Sequence, residues 1–249
     1  MKVYFLGTGG AGSSPNRAHN CFMVESKESR ILIDFGEGCS WRLDELDLTL
    51  CDFDLIYISH KHIDHWIGLF DASVLALSKG CKSFNVLAHS NVMKDLKTLL
   101  INTLPKEVSS SVIFHEIYRD EYRLKDLIIK VIPSIHPVPT YGALITDGKC
   151  VILYSADTSI NEALIRNLNS VDLLIHEASL PSDLETLALS KGHTTVRQVL
   201  ELSKYMKKNA ILTPVHLTKE SEREFFHTHL KVSNNVKVIL PSDGTLLKI

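Results

Sequence analysis

Apolar residues in this chain come in short runs, each closed by a glycine, a proline or a charged residue. The runs Lys2–Leu6, Cys21–Val24, Ile31–Ile33, Leu55–Ile58, Phe84–Ala88, Val112–Ile117, Leu127–Ile132, Val151–Tyr154, Val171–Ile175 and Ala210–Pro214 predict buried strands, with Val236–Leu240 and Thr245–Ile249 closing the chain around a Ser242-Asp243-Gly244 turn. Between them lie stretches with helical spacing. Trp66–Leu77 and Asn91–Ile101 are two of these, and Val196, Val199, Leu200 and Ser203 put an apolar stripe on one face of a third. Ser159/Glu162, Ser182/Glu185 and Thr195/Gln198 have the spacing of helix-capping boxes, and Thr218 starts a helix that runs to about His229. Strands alternating with helices predict an α/β protein.

The chemistry-bearing residues fall where the apolar runs end. The densest case is Ser59-His60-Lys61-His62-Ile63-Asp64-His65, directly after Leu55–Ile58. Two residues apart on extended backbone, His60 and His62 point the same way and can grip one ion. Asp64 and His65 lie just beyond, where the chain turns, and can serve a second ion. Imidazoles with a carboxylate suit zinc. Asp34, His136, Asp157, His176-Glu177 and His216 also sit at or just past strand ends. Asp34 ends an apolar run, where a carboxylate is costly without partners. His89 and His115 read as surface or core histidines, and His227 and His229 as exposed.

Composition narrows the setting. The chain has 249 residues, 45% of them hydrophobic, which suits one α/β domain over residues 1–249. A net charge of -2 gives no global pull toward nucleic acid. Lys204, Lys207 and Lys208 are a local basic cluster and equally a solvated helix face. The five cysteines, Cys21, Cys39, Cys51, Cys81 and Cys150, are scattered with no CxxC, so they are expected to be reduced thiols of a cytoplasmic protein. The N-terminal run is too short for a signal peptide, and no apolar run approaches membrane-spanning length, so no membrane association is expected. The glycine loop Gly7-Thr8-Gly9-Gly10-Ala11-Gly12 lacks the lysine of a phosphate-binding P-loop and reads as a tight turn beside the site.

The His-Lys-His-Ile-Asp-His stretch resembles the HxHxDH signature of the metallo-β-lactamase superfamily, and His176-Glu177-Ala178-Ser179 with Gly192-His193-Thr194-Thr195 resembles its ribonuclease Z-like zinc phosphodiesterases. The resemblance implies a four-layer αββα sandwich with two Zn²⁺ along one edge, Mn²⁺ or Fe²⁺ being substitutes. It assigns His60, His62, His136 and Asp157 to one ion, and Asp64, His65, Asp157 and His216 to the other. Asp157 bridges the two, and Asp34 orients the ligands. Glutamate is usual at the position of His62 in the di-iron branch, so this histidine favours zinc. Two such ions acidify a shared water, and His193, polarised by Glu177, is then the general acid for the leaving alkoxide. His193 also reads as a helix-start residue. Arg17, by resemblance to a substrate-end loop, is a candidate contact for substrate.

The implied reaction is metal-dependent phosphodiester hydrolysis of the kind that trims transfer-RNA 3′ ends, with small or cyclic organic phosphates as the alternative substrates. Two departures bear on that choice. Only 20 residues separate His136 from Asp157, where ribonuclease Z inserts a long RNA-holding arm, and Lys219-Glu220 replaces the usual arginine and tyrosine after the last histidine. A lactamase or thioesterase would share the ligands without needing Glu177 and His193, and intact ligands argue against an inactive scaffold. Relatives are often homodimers, and the sequence leaves the assembly open.

Overall fold

The computed structural model describes residues 1–12, 15–227 and 232–249, so Ser13, His229 and the predicted helix end near it lie outside the described residues. Two seven-stranded sheets face each other. The first contains β1 (Lys2–Gly7), β2 (Cys21–Glu25), β3 (Arg30–Ile33), β4 (Leu55–Ile58), β5 (Phe84–Ala88) and β6 (Val112–Glu116). The second contains β7 (Glu121–Leu124), β8 (Leu127–Pro133), β9 (Tyr141–Thr146), β10 (Val151–Tyr154), β11 (Leu173–Glu177), β12 (Ile211–Val215) and β13 (Lys237–Val238). The final strand, β14 (Leu246–Lys248), returns to the first sheet, whose order is β14-β1-β2-β3-β4-β5-β6, while the second runs β13-β12-β11-β10-β9-β8-β7.

Strands buried on both faces require a layer of helices outside each sheet. On the first sheet these are α1 (Cys39–Glu45), α2 (Leu69–Ser78), α3 (Ser90–Thr103) and α4 (Lys106–Ser109); on the second, α5 (Glu162–Ile165), α6 (Glu185–Lys191), α7 (Val196–Glu201) and α8 (Lys219–His227). Alternate residues of the strands accordingly feed different cores. Leu32, Ile56 and Val86 pack outward with Leu69 and Leu96. Ile31, Ile33 and Tyr57 pack inward against Ile129, Ile152 and Tyr154 of the opposite sheet. Leu153, Leu174 and Leu212 pack on Val196, Val199 and Leu200. This layering is the αββα sandwich.

Several local expectations are corrected. The run Glu121–Leu124 is half-exposed and polar-alternating, so its short edge strand β7 left little apolar signal. Strand β9, Tyr141–Thr146, is not among the expected runs, and it pairs with both β8 and β10. The last two strands do not finish one sheet; β13 extends the second and β14 the first. Helix α5 is capped by Asn161, whose side chain accepts from Leu164 N at 2.8 Å, and not by Ser159. Ser182 accepts from Arg197 N and bonds Glu224, so it does not cap α6. The Thr195/Gln198 box is present as read. Cys51 and Cys81 are disulfide-bonded, not free thiols. Helix α2 doubles back over the 3-10 turn Leu50–Asp52, which brings together two cysteines 30 residues apart in sequence, beyond the reach of a spacing argument. Cys21, Cys39 and Cys150 are buried thiols. Among the described residues no helix is long and apolar enough to cross a membrane.

Candidate metal centre

The strand ends converge at one edge of the sandwich. From the first sheet, Asp34 follows β3, and His60, His62, Asp64 and His65 follow β4. From the second, His136 follows β8, Asp157 follows β10 and His216 follows β12, while Glu177 ends β11 and His193 follows α6. Three residues on these turns, Asp34, Ala156 and His216, hold φ of 53°, 53° and 56°. This left-handed conformation costs a non-glycine residue roughly 1–2 kcal/mol, and its clustering here follows the tendency of strain to gather at working sites.

Asp157 sits at the middle. Its Oδ2 lies 3.6 Å from His60 Nε2 and 3.4 Å from both His65 Nε2 and His216 Nε2. Asp64 Oδ2 lies 3.2 Å from His216 Nε2 and 3.5 Å from His65 Nε2. His62 Nδ1 and His136 Nε2 are 3.1 Å apart. Ligands of one tetrahedral zinc lie about 3.3 Å from each other when each is about 2.0–2.1 Å from the ion. Two sets bring their ligand atoms within 4.8 Å of one another, His60, His62, His136 and Asp157 in one, Asp64, His65 and His216 in the other. A third set joins Asp157, His193 and His216, which the sequence did not foresee.

The donor atoms are prepared for cations. His60 Nε2, His65 Nε2 and Asp157 Oδ1 are buried with no hydrogen-bond partner. Such atoms cost free energy unless something satisfies them, and cations bound by these nitrogens and the carboxylate would do so. The opposite ring nitrogens are all engaged. His60 Nδ1 meets Ser59 Oγ at 3.0 Å, His65 Nδ1 meets Asp34 Oδ2 at 2.7 Å, His136 Nδ1 meets Gly192 O at 2.9 Å and His216 Nδ1 meets Ser179 Oγ at 2.8 Å. These contacts fix ring orientation and tautomer.

Asp34 is fully buried and carries out its positioning from four directions. It accepts from Ser59 N at 2.8 Å, Ser59 Oγ at 2.9 Å, His65 Nδ1 and Tyr154 OH at 2.6 Å. Ser179 links two functional groups, its hydroxyl donating to Glu177 Oε2 at 2.6 Å while accepting from His216. Ser59, Tyr154 and Ser179 were not singled out from the sequence, although each is next to, or part of, a motif that was.

Electrostatics separates the histidines. Burial, reinforced by neighbouring imidazoles, depresses the pKa of His60 and His62, and burial depresses that of His136. At His65 and His216 burial acts the same way, but the surrounding carboxylates, Asp157 foremost, outweigh it and raise both. His193 behaves like the second group. Burial opposes its charge, yet Glu177, 2.8 Å from Nδ1, lifts it to about 9.

Arg17 is the exception. It is buried and turned away from the cluster, bonding Pro241 O at 2.7 Å, Glu222 at 2.6 Å and Thr8. These bonds tie the loop after β1 to the C-terminal segment and α8, and Arg17 also lines a cleft with His19, Glu37 and Trp41. His89 caps α3, accepting from Asn91 N.

Comparison with known proteins adds a lineage to this geometry. A family described as "Anti-Pycsar protein Apyc1" matches residues 1–231. "Ribonuclease Z 2, mitochondrial" of Schizosaccharomyces pombe is 25% identical across 96% of this chain, which spans 37% of that protein's length. "Ribonuclease Z" of Pyrobaculum islandicum is 27% identical with 85% of each chain covered. The metallo-β-lactamase fold protein YhfI of Bacillus subtilis superposes with a TM-score of 0.81, at 22% identity, over 99% of both chains.

Proposed function

This chain belongs to the family of the anti-Pycsar protein Apyc1, in the ribonuclease Z-like part of the metallo-β-lactamase superfamily, and from that membership we propose that it is a two-zinc phosphodiesterase acting on compact nucleotide diesters. The observation that carries the metal reading is the set of buried, partnerless donor atoms on His60, His65 and Asp157. In this reading His60, His62, His136 and Asp157 hold one zinc and Asp64, His65, Asp157 and His216 the other. Zinc in such a pair supplies an activated water and neutralises charge on phosphoryl oxygens.

The protein's own groups supply what the ions do poorly. Asp34, Ser59, Ser179 and the Gly192 carbonyl hold the ligands in register. His193 protonates the leaving alkoxide. Its Nδ1 is occupied by Glu177, which leaves Nε2 as the donating atom. The spacing in the third cluster would also let His193 be a ligand, but in this reading four other groups already serve each ion, and its Nδ1 is taken by Glu177. Acid catalysis is the role that remains.

The turn that stands in place of the arm favours a small substrate. β9 and β10 form a tight hairpin in which Asp147 Oδ1 accepts from Lys149 N and Cys150 N, at 3.0 and 2.9 Å. Lys204 and Lys207 pair with Glu201 and Asp172 of their own face, so they are a poor RNA track. An RNA 3′ end is the second reading, favoured by the relatives named ribonuclease Z. The deciding experiment presents zinc-loaded protein with nucleoside 3′,5′-cyclic monophosphates, methyl p-nitrophenyl phosphate, precursor transfer RNA and a thioester. Turnover of the small diesters without RNA cleavage is expected. RNA cleavage at a higher kcat/KM would install the second reading, and hydrolysis of the thioester alone would remove both.

A further inference from the structure

A second cleft, of about 230 Å³, opens beside the metal centre between the loop 15–19 and α1, with His19, Glu37, Trp41 and Arg42 among its walls. Its volume is below the roughly 300 Å³ at which whole-ligand pockets begin, so it suits one part of a substrate whose remainder lies elsewhere. Gly36 fixes its position relative to the chemistry. A Cβ at Gly36 would lie 2.3 Å from His19 Cβ and 2.0 Å from Asp64 O, so the cleft wall and the backbone of Asp64 press on the same glycine from two sides. The loop is braced there, with His19 N donating to Glu37 O at 2.9 Å and Glu37 N to His19 Nδ1 at 3.3 Å.

The walls carry complementary recognition chemistry. Trp41 is 70% exposed, and a large indole left open in the wall of a cleft is a stacking platform for a flat ring. Glu37 is exposed, and its carboxylate has no hydrogen-bond or ion-pair partner among the described residues. An ionised carboxylate can only accept. Arg42, in contrast, is held by Glu45 at 3.0 Å.

We propose that this cleft is the nucleobase subsite of the enzyme, with Trp41 stacking on the base and Glu37 accepting an N–H from its edge. The assignment rests on the phosphodiesterase reading above and makes it specific. Glu37 favours bases with an amino group, such as cytosine, over uracil, which presents one N–H flanked by carbonyls.

Two readouts test it. In the first, zinc-loaded Trp41→Ala loses about tenfold in kcat/KM on cyclic nucleotides, near the lower end of base–aromatic stacking, while methyl p-nitrophenyl phosphate, which has no base, is turned over as by the parent. Glu37→Gln narrows the preference for cytidine over uridine substrates. In the second, cytidine 5′-monophosphate quenches tryptophan emission saturably and ribose 5-phosphate does not. The other tryptophan, Trp66, is buried, so Trp41→Phe abolishes the quench. Unchanged nucleotide kinetics in Trp41→Ala, with base-free turnover intact, overturns the subsite and leaves the phosphodiesterase standing. Saturable quenching in a protein that hydrolyses no diester keeps the subsite and removes the phosphodiesterase. Absence of both quenching and turnover removes both. A Trp41 shielded from acrylamide by a second copy of the chain also overturns the subsite.

Discussion

Nδ1 of His193 lies 2.8 Å from Oε1 of Glu177, and that carboxylate is itself buried and fixed, accepting from Thr158 N at 3.0 Å and from Ser179 Oγ at 2.6 Å. A buried anion so held has one direction in which to act, toward the imidazole. Two elements that are separate in sequence, the end of β11 and the segment before α7, are thereby joined, and the proposed proton donor is the pair they form.

The pH dependence follows from this pair. Burial lowers the pKa of His193 and Glu177 more than restores it, to about 9. The donor form is therefore complete through neutral pH and is lost as pH rises through about 9. Turnover of alkyl diesters is expected to hold to that limit and then fall. In Glu177→Gln the alkaline limb moves toward the ordinary histidine value near 6.5. His193→Ala is expected to lose about 10²–10⁴-fold on alkyl leaving groups, far less on p-nitrophenolate, and to retain its zinc by elemental analysis. Loss of metal in that variant would instead make His193 a ligand.

Metal removal gives a prediction about stability. The partnerless atoms at His60, His65 and Asp157 destabilise the apoprotein and are relieved on binding. Free zinc at 100 times its Kd adds about 2.7 kcal/mol per site, which for a chain of this size raises Tm by about 5–10 °C. Carboxylates hold protons on His65 and His216, so uptake releases protons and weakens as pH falls. Calorimetry in buffers of different ionisation enthalpy measures both. Two equivalents are expected; saturation at one would end the dinuclear assignment.

Two positive-φ residues make opposite predictions. Gly192, at φ 71°, is packed so that a Cβ would lie 2.8 Å from His136 Cα and 3.0 Å from His136 Nδ1. Gly192→Ala is expected to cost about 1–2 kcal/mol and to weaken zinc binding by displacing His136. Ala156 already bears a Cβ at φ 53°. Ala156→Gly relieves that strain but gives the unfolded chain more freedom, so a change of less than about 1 kcal/mol is expected. Chemical denaturation with zinc titration on both variants is the check.

The sequence was most legible where one local pattern determines an outcome. An apolar run of four residues ending in His60-Lys61-His62 can hardly avoid presenting both rings at a strand end, and the Thr195/Gln198 box was read from spacing alone. It was least legible where distant segments meet. The Cys51–Cys81 bridge depends on where α2 ends, and Arg17 found Glu222 and Pro241 more than 200 residues away. Ser179 shows an intermediate case. It lay in a recognised motif, but its bond to His216 across 37 residues was visible only after folding.

Asp34 and Tyr154 stand at strand ends of opposite sheets, and the hydroxyl of Tyr154 reaches the carboxylate of Asp34 across the gap between the sheets, with Asn20 donating to the same hydroxyl at 2.7 Å. The gap between the sheets is thus a calibrated length, and the catalyst is calibrated by it. Repacking that interior for heat tolerance would retune the chemistry at the rim, even when every altered side chain was oily and remote from the cations.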